Sequence, residues 1–165
     1  MSLDRFTCET TTPLNVQADN GTIKRSSWLR SLPLDKATLQ RLHMVQLHTI
    51  SHDQGWVGDP FAGTWTWFEL AIERPLPALG SWDLLMNPET KEPYRFQSHH
   101  NPQARGEPQS LSGAKFESDH KIWKLIKPGD RLVVSACAQY AEWSNTGLSA
   151  RIEFWRRFDP PVCLM

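Results

Sequence analysis

The residues whose types are best suited to catalysis or ligand binding form one short loop, Ser51-His52-Asp53-Gln54-Gly55-Trp56. Ser51, His52 and Asp53 are the residue types of a hydrolase triad. They are adjacent, however, and neighbours on an extended chain point to opposite sides, so they cannot relay a proton to one another. The chain also lacks the Gly-x-Ser-x-Gly elbow of α/β-hydrolases. The sequence therefore argues against a triad, and we predict no catalytic residues.

The same loop has the residue types of a sugar-binding site. His52, Asp53 and Gln54 supply donors and acceptors for hydroxyl groups, and Trp56 supplies a flat apolar face for C–H groups. The alternative is structural: Asp53 and Gln54 bond to backbone groups of a strand-end turn, Gly55 takes a positive φ, and Trp56 packs into the core. Because polar turn residues usually bond locally, the sequence favours the structural alternative.

Trp65 and Trp67 share one face of a predicted strand, opposite Phe68, Leu70 and Ile72. If the second face is core, the two tryptophans are exposed and indicate an interaction surface. If the tryptophans are core as well, the strand is covered on both sides. The pattern does not separate these two interpretations.

Four further residues are candidates for the same ligand site. Trp143 and Asn145 follow a strand rich in Val and Ala, where they either hold the core edge or line the rim beside the loop 51–56. Arg105 lies in a long loop and has the geometry to hold an anion or a carboxylate, although an exposed arginine is the simpler interpretation. His100 joins His52 and Asp53 as an acid or base in an alternative enzymatic hypothesis.

The chain has six histidines, and because histidine is a common metal ligand we considered a metal site. His99 and His100 are adjacent, and His43, His48 and His52 lie on or near one strand. That segment alternates rather than following a helical period, and no carboxylate spacing completes a site. We predict neither a metal nor a cofactor.

Alternating apolar and polar residues predict the elements that position these residues. Strands are expected at 42–50, 63–73, 94–98, 131–140 and 148–155. Pro75 and Pro77 are expected to end the second strand. Asp35 is a plausible N-cap for a short helix to Leu42, and a tight turn is expected at 127–130.

Two regions alternate poorly and are expected to be irregular. Residues 1–41 are predicted to form an arm anchored by Trp28 and Leu29, and residues 86–115 to form loops around the short strand. We therefore divide the chain into the arm, a sandwich domain at 42–158 and a tail at 159–165. At least five strands without a strong helix predict an all-β antiparallel sandwich.

Bulk composition excludes several classes of function. The chain has 165 residues with 18 basic and 18 acidic side chains, so its zero net charge argues against a nucleic-acid footprint. No apolar run approaches the ~20 residues of a membrane span. The first residues lack the layout of a secretory signal, although a chain with its signal removed would look the same. Three cysteines without a CxxC pair fit a reducing compartment, so we expect a cytoplasmic protein.

The loop 51–56 followed by Gly63-Thr64-Trp65-Thr66-Trp67-Phe68-Glu69 resembles a domain widespread in fungal proteins of unknown function. Trp123, Pro128-Gly129-Asp130 and the segment 140–145 continue the likeness, which spans roughly residues 42 to 156. This chain departs from the pattern where the usual Tyr-Pro-Gly-Trp is Tyr-Ala-Glu-Trp, and residues 76–115 match poorly.

That domain is in turn similar to galactose-binding-like jelly rolls, including sugar-binding domains of some F-box proteins. The resemblance implies a jelly-roll sandwich whose loops at one end hold any ligand, without implying galactose. We expect a non-catalytic module that binds a carbohydrate or small polar ligand. The alternatives are a protein–protein interaction module that uses the Trp-rich sheet face, and a small acid–base enzyme.

Overall fold

The computed structural model describes residues 2–158, so the predicted tail at 159–165 lies outside the described residues. Within them the chain forms ten strands and two short helices. In chain order they are β1 Leu3–Thr10, β2 Leu14–Gln17, β3 Lys24–Arg30, α1 Lys36–Arg41, β4 Leu42–His52, β5 Thr66–Leu76, β6 Ser81–Leu84, β7 Arg95–His100, β8 Gln109–Glu117, α2 Ile122–Leu125, β9 Arg131–Ala138 and β10 Ser144–Arg157.

The strands form two antiparallel sheets whose pairing nests from the chain ends toward the middle. In sheet A, β1 and β2 lie end to end beside β10, which is followed by β4 and β8. In sheet B, β3 is followed by β9 and β5, and β6 and β7 lie end to end beside β5. The first strand, β1, pairs with the last, β10. The pairs inside this one are β3 with β9, β4 with β8, and β5 with β6 and β7. This nesting is the jelly roll, so the predicted all-β sandwich of jelly-roll type is confirmed.

The hydrophobic core lies between the central strands of the two sheets. Val45 and Leu47 of β4 and Ile152 of β10 meet Leu70 and Val134 of sheet B, and all five are fully buried. Large side chains that are removed from water in this way supply most of the stabilisation, about 25 cal/mol for each Å² of apolar surface. The core is what fixes the strand ends, and hence the loops, at each end of the sandwich.

The predicted irregular arm at residues 1–41 is wrong. β1 pairs with β10 along its whole length, β3 pairs with β9, and Phe6 stacks on Phe154 with ring centroids 4.6 Å apart. Both strands are sheet edges with one face in solvent, so they need few apolar residues and give a weak sequence signal. The predicted short helix is confirmed as α1, whose N-cap Asp35 accepts a hydrogen bond from the Thr38 amide.

Two other element predictions need correction. β5 does not end at Pro75, which pairs with Trp82 of β6. Because the pairing with β9 has already ended at Glu73, the missing N–H of Pro75 costs no bond on that side. The region 86–115, expected to be loops around one short strand, also contains most of β8.

Candidate functional site

The loop 51–56 leaves the end of β4 and meets the turn between β9 and β10 at one end of the sandwich. Two adjoining cavities of about 230 and 510 Å³ open there, and both are lined by Gln54, Trp56 and Glu142. We call them together the end cleft. Its other walls are Gln17, His52, Asp53, Val57, Gly58, Asp59, Ala62, Gly106, Ala141, Trp143, Ser144 and Thr146.

Asp53 is a structural residue of the loop. It is fully buried, and its carboxylate accepts hydrogen bonds from the Gly55 amide at 2.8 Å and the Ala104 amide at 2.5 Å. The first bond closes a tight turn in which Gly55 takes the predicted positive φ of 87°, and the second ties the loop to the segment before β8. Both carboxylate oxygens are engaged by the backbone, so Asp53 serves the fold.

Gln54 and His52 also bond to nearby backbone groups. The Gln54 amide donates to the Trp56 carbonyl at 2.6 Å, and its oxygen accepts from the Ser144 amide at 3.1 Å, which joins the loop to β10. His52 Nδ1 donates to the Asp53 carbonyl at 2.6 Å. In that tautomer the other ring nitrogen of His52 is an acceptor, and the residue lines the larger cavity.

Trp56 is the residue for which the structural interpretation is wrong. Its side chain is 51% exposed instead of packing into the core. Trp143 also lines the smaller cavity, but it is only 8% exposed. An exposed aromatic face above polar walls is the arrangement that stacks on the C–H face of a sugar.

Asn145 holds the two sheets together. It is fully buried at the start of β10, and its amide donates to the carbonyls of Trp67 at 3.0 Å and Cys137 at 3.2 Å in sheet B. Its oxygen accepts from the Asn101 amide, which also donates to Thr66. These bonds occupy Asn145, which was predicted as a possible ligand contact and does not line the cleft.

The two strand tryptophans do not form an exposed pair. Trp67 is 8% exposed, and its indole donates to the buried Glu69 carboxylate at 3.2 Å. Trp65 precedes β5, is half-buried, donates to the Ala62 carbonyl and meets the Tyr140 ring edge-on at 4.7 Å. Of the two interpretations left open by the sequence, the strand covered on both sides is the one observed.

Arginines cover the outer face of β5. Glu69 accepts from Arg25 at 2.6 Å and Arg95 at 3.2 Å. Glu73, two residues on, pairs in the same way with Arg30 at 3.0 Å and Arg131 at 3.2 Å. Each buried carboxylate is therefore paired with two guanidinium groups, which is how a buried charge is tolerated.

Two further predicted site residues, besides Trp65, Trp67 and Asn145, lie away from the end cleft. His100 packs beside Trp67 with ring centroids 5.9 Å apart, its Nδ1 lies 3.1 Å from the Gln97 amide, and burial lowers the pKa of the imidazole. Arg105 is exposed and does not line either cavity. The structure thus brings together His52, Asp53, Gln54, Trp56 and Trp143, and separates them from Trp65, Trp67, His100, Arg105 and Asn145.

The residue that sequence reasoning missed is Glu142. It lines both cavities and takes a positive φ of 75°, as Tyr140 does at 69°. Non-glycine residues rarely adopt this conformation, and such strain concentrates at functional sites. The signal in the sequence was the position of Glu142 directly before the candidate Trp143, in the segment Tyr-Ala-Glu-Trp. The cleft walls contain two acidic residues besides Asp53. They are Asp59 and Glu142, and neither belongs to the turn that Asp53 closes with Gly55.

Residues 2–158 also bear on a metal site and on a membrane span. In this range no three His, Cys, Asp or Glu side chains gather as a metal site would require. Over the same residues the helices are too short and too polar to cross a membrane.

Comparison with known proteins assigns this chain neither a family nor a function. No protein-family model matches the chain, and none of the curated proteins does. Among solved structures the chain is similar to one described as "Structure of infectious bursal disease virus Gx strain", with 7% sequence identity and a TM-score of 0.42. The match covers 97% of this chain and 37% of that one. A likeness this distant says nothing about function, so membership of the fungal family stays a prediction.

Proposed function

We propose that this domain is a binding module whose end cleft takes a carbohydrate or another small polar ligand without performing chemistry on it. The observation that carries the proposal is the exposed indole of Trp56, 51% accessible, which lines the larger cavity together with mostly polar residues. An indole ring that stands free beside polar groups can stack on the C–H face of a sugar while those groups bond its hydroxyls. The fungal resemblance remains a prediction, and it implies a ligand site in the loops at one end of the sandwich. The cytoplasmic location also remains a prediction.

The wall residues define what kind of ligand fits. Gln54 is bonded to the backbone through both its amide nitrogen and its oxygen. The other polar side chains that line the larger cavity, apart from the engaged Asp53, are those of Gln17, His52, Glu142, Ser144 and Thr146. Asp59 and Glu142 supply negative charge, and no Lys or Arg of the described part of the chain lines either cavity. We therefore expect a neutral or amine-bearing ligand, such as an unmodified or amino sugar, in preference to an acidic one.

The two alternative functions have less support. The protein–protein hypothesis rested on an exposed Trp65–Trp67 pair, and Trp67 is buried beneath an arginine layer. The acid–base hypothesis rested on His52, Asp53 and His100, and the Asp53 carboxylate is fully engaged by backbone amides.

A glycan array tests the proposal, with wild type, Trp56→Ala and Phe61→Ala compared at equal concentration. We expect wild type to retain a subset of neutral or amino glycans, and Trp56→Ala to lose them. Phe61 is the matched control, because it is an aromatic residue of the same connection, 95% exposed, and lines neither cavity. An array on which wild type retains no glycan, or on which Trp56→Ala binds like wild type, would contradict the proposal.

A further inference from the structure

The outer face of sheet A carries a row of polar residues that is separate from the end cleft. Glu9 of β1 lies opposite Arg151 of β10, Arg151 opposite His48 of β4, and His48 opposite Ser112 of β8. Residues directly opposite in antiparallel strands share a face, so these side chains are neighbours across four strands. A cavity of about 390 Å³ opens over the row, and hydroxyl residues form much of its wall.

Ser112 and His48 are within hydrogen-bond distance in this cavity. Ser112 Oγ lies 2.9 Å from His48 Nδ1, and Ser112 is exposed. The other ring nitrogen, His48 Nε2, is buried, has no hydrogen-bond partner among residues 2–158, and lies 3.7 Å from Glu153 Oε1. A proton on Nε2 faces a carboxylate, whereas a lone pair there would be repelled by it. The favoured tautomer therefore leaves Nδ1 to accept the Ser112 proton.

The Glu153 carboxylate is fixed in place from several sides. Its Oε1 accepts from the Trp155 indole at 2.7 Å, and its Oε2 pairs with Arg5 at 3.4 Å and Arg151 at 3.7 Å. Glu153 itself is 6% exposed. A carboxylate that is held in this way orients the imidazole behind the hydroxyl, which is the third position of a nucleophile–base–orienter arrangement.

His48 is in the neutral form that a general base requires. Burial lowers the pKa of its imidazole, Glu153 of β10 opposes that shift, and Arg151 of the same strand adds to it. His99 of β7 lies on the core side and is itself kept neutral by burial, with a pKa of about 4. At neutral pH the Nδ1 lone pair is thus available to Ser112.

We propose that Ser112 is an activated nucleophile on the outer face of sheet A, with His48 as its general base and Glu153 as the positioning carboxylate. The chemical class of substrate is a short-chain ester, such as an acetyl ester of a polyol. The cavity walls are hydroxyl groups and short side chains rather than an apolar channel, so they suit a small acyl group on a polar alcohol. This site is independent of the end cleft.

The reaction balances within the site and water. Ser112 Oγ forms a bond to the acyl carbon while its proton moves to His48 Nδ1. The bond from acyl carbon to the alcohol oxygen breaks, and the alcohol leaves with the proton from His48. Water then hydrolyses the acyl group from Ser112 by the same path. Arg151, which lines the cavity beside His48, is the charged donor available to the developing oxyanion.

An active-site-directed fluorophosphonate tests the proposal. The probe forms a bond from phosphorus to the serine oxygen, releases fluoride, and leaves a mass increment that peptide mass spectrometry locates. We expect Ser112 of the intact wild-type protein to be labelled at least ~10-fold faster than Ser110, since general-base assistance contributes about 10²–10⁴ in rate. Ser110 is the internal control because it lies on the same strand and lines the same cavity.

Variants test the role of each partner. His48→Gln is expected to slow Ser112 labelling about 100-fold. Ser81→Ala, on β6 of sheet B and away from this cavity, is expected to leave the labelling unchanged. Glu153→Gln is expected to slow labelling and to move the midpoint of its pH profile to lower pH, because Glu153 raises the pKa of His48. A merely structural role would not move that midpoint. Labelling of Ser112 no faster than Ser110 in the folded wild type, a comparison that needs no variant, would overturn the proposal.

Discussion

Asp53 and Trp56 belong to the same loop and contribute to different properties of the molecule. Asp53 is fully buried and accepts hydrogen bonds from two backbone amides, whereas the Trp56 ring is half exposed above the end cleft. The sequence offered a binding loop and a local turn as alternatives. The structure contains the turn, and the binding role stays a prediction. What the sequence could not supply is the accessibility of Trp56, because that depends on residues such as Glu142 that arrive from the far end of the chain.

Replacing Asp53 tests its structural role. Asp53→Ala removes the acceptors of the partly buried amides of Gly55 and Ala104, so we expect the free energy of unfolding to fall by about 2 kcal/mol. Asp53→Asn keeps one acceptor oxygen and is expected to lose less. Urea unfolding at pH 7 measures both. An alanine variant as stable as wild type would mean that the loop does not depend on this carboxylate.

His99 predicts how stability changes with pH. It is packed between Thr49 and Ser98, which lie 2.8 Å from its two ring nitrogens, and burial lowers its pKa from 6.5 to about 4. The unfolded chain therefore binds a proton between pH 6.5 and pH 4 that the folded chain excludes. Stability contributed by neutral His99 is complete above pH 6.5 and lost as pH falls toward 4, by about 3 kcal/mol.

A comparison of wild type with His99→Gln isolates this contribution, because carboxylates and the other histidines titrate in both proteins. We expect the unfolding free energy of wild type to drop more steeply than that of the variant between pH 6.5 and pH 4. Parallel pH profiles from urea titrations would show that His99 does not carry the effect.

Central and edge strands differ in how much of them the sequence reveals. β4, β9 and β10 were predictable because a central strand must alternate or stay apolar to fill the core. β1 and β3 were not, since an edge strand buries only part of one face and here carries charged residues on the other. Long-range pairing, such as β1 with β10, has no local sequence signal at all.

Gly147 tests the packing between elements at the start of β10. A Cβ at this position would lie 2.3 Å from the Trp28 ring, which stacks near Phe68 in the core. We expect Gly147→Ala to lower the unfolding free energy by about 1–3 kcal/mol through overpacking. Gly58→Ala is the matched control, since nothing lies within 4 Å of its added methyl group. Thermal unfolding of both variants measures the difference, and equal melting temperatures would contradict this packing.

The whole molecule depends on strands from both chain ends. Shortening the chain to residues 42–158, the domain predicted from sequence, removes the partners of β10 and β9 at one edge of each sheet. It also removes the buried Val16, Leu29 and Leu34 from the core. We expect the shortened chain to lose cooperative thermal unfolding and dispersed amide resonances, both of which the full chain should show. Cooperative unfolding of residues 42–158 would show that residues 1–41 are dispensable for folding, which contradicts this prediction.

The claim that the end cleft binds the ligand is tested most directly by the indole N–H resonances of ¹⁵N-labelled protein, titrated with the glycan that the array retains most tightly. Trp56 and Trp143 line the cleft, whereas Trp67 and Trp82 lie on sheet B. We predict that the Trp56 resonance shifts progressively and saturates, that Trp143 shifts less, and that Trp67 and Trp82 stay in place. Saturable shifts at Trp67 or Trp82 with Trp56 unmoved would contradict the account and place the ligand on the face of sheet B.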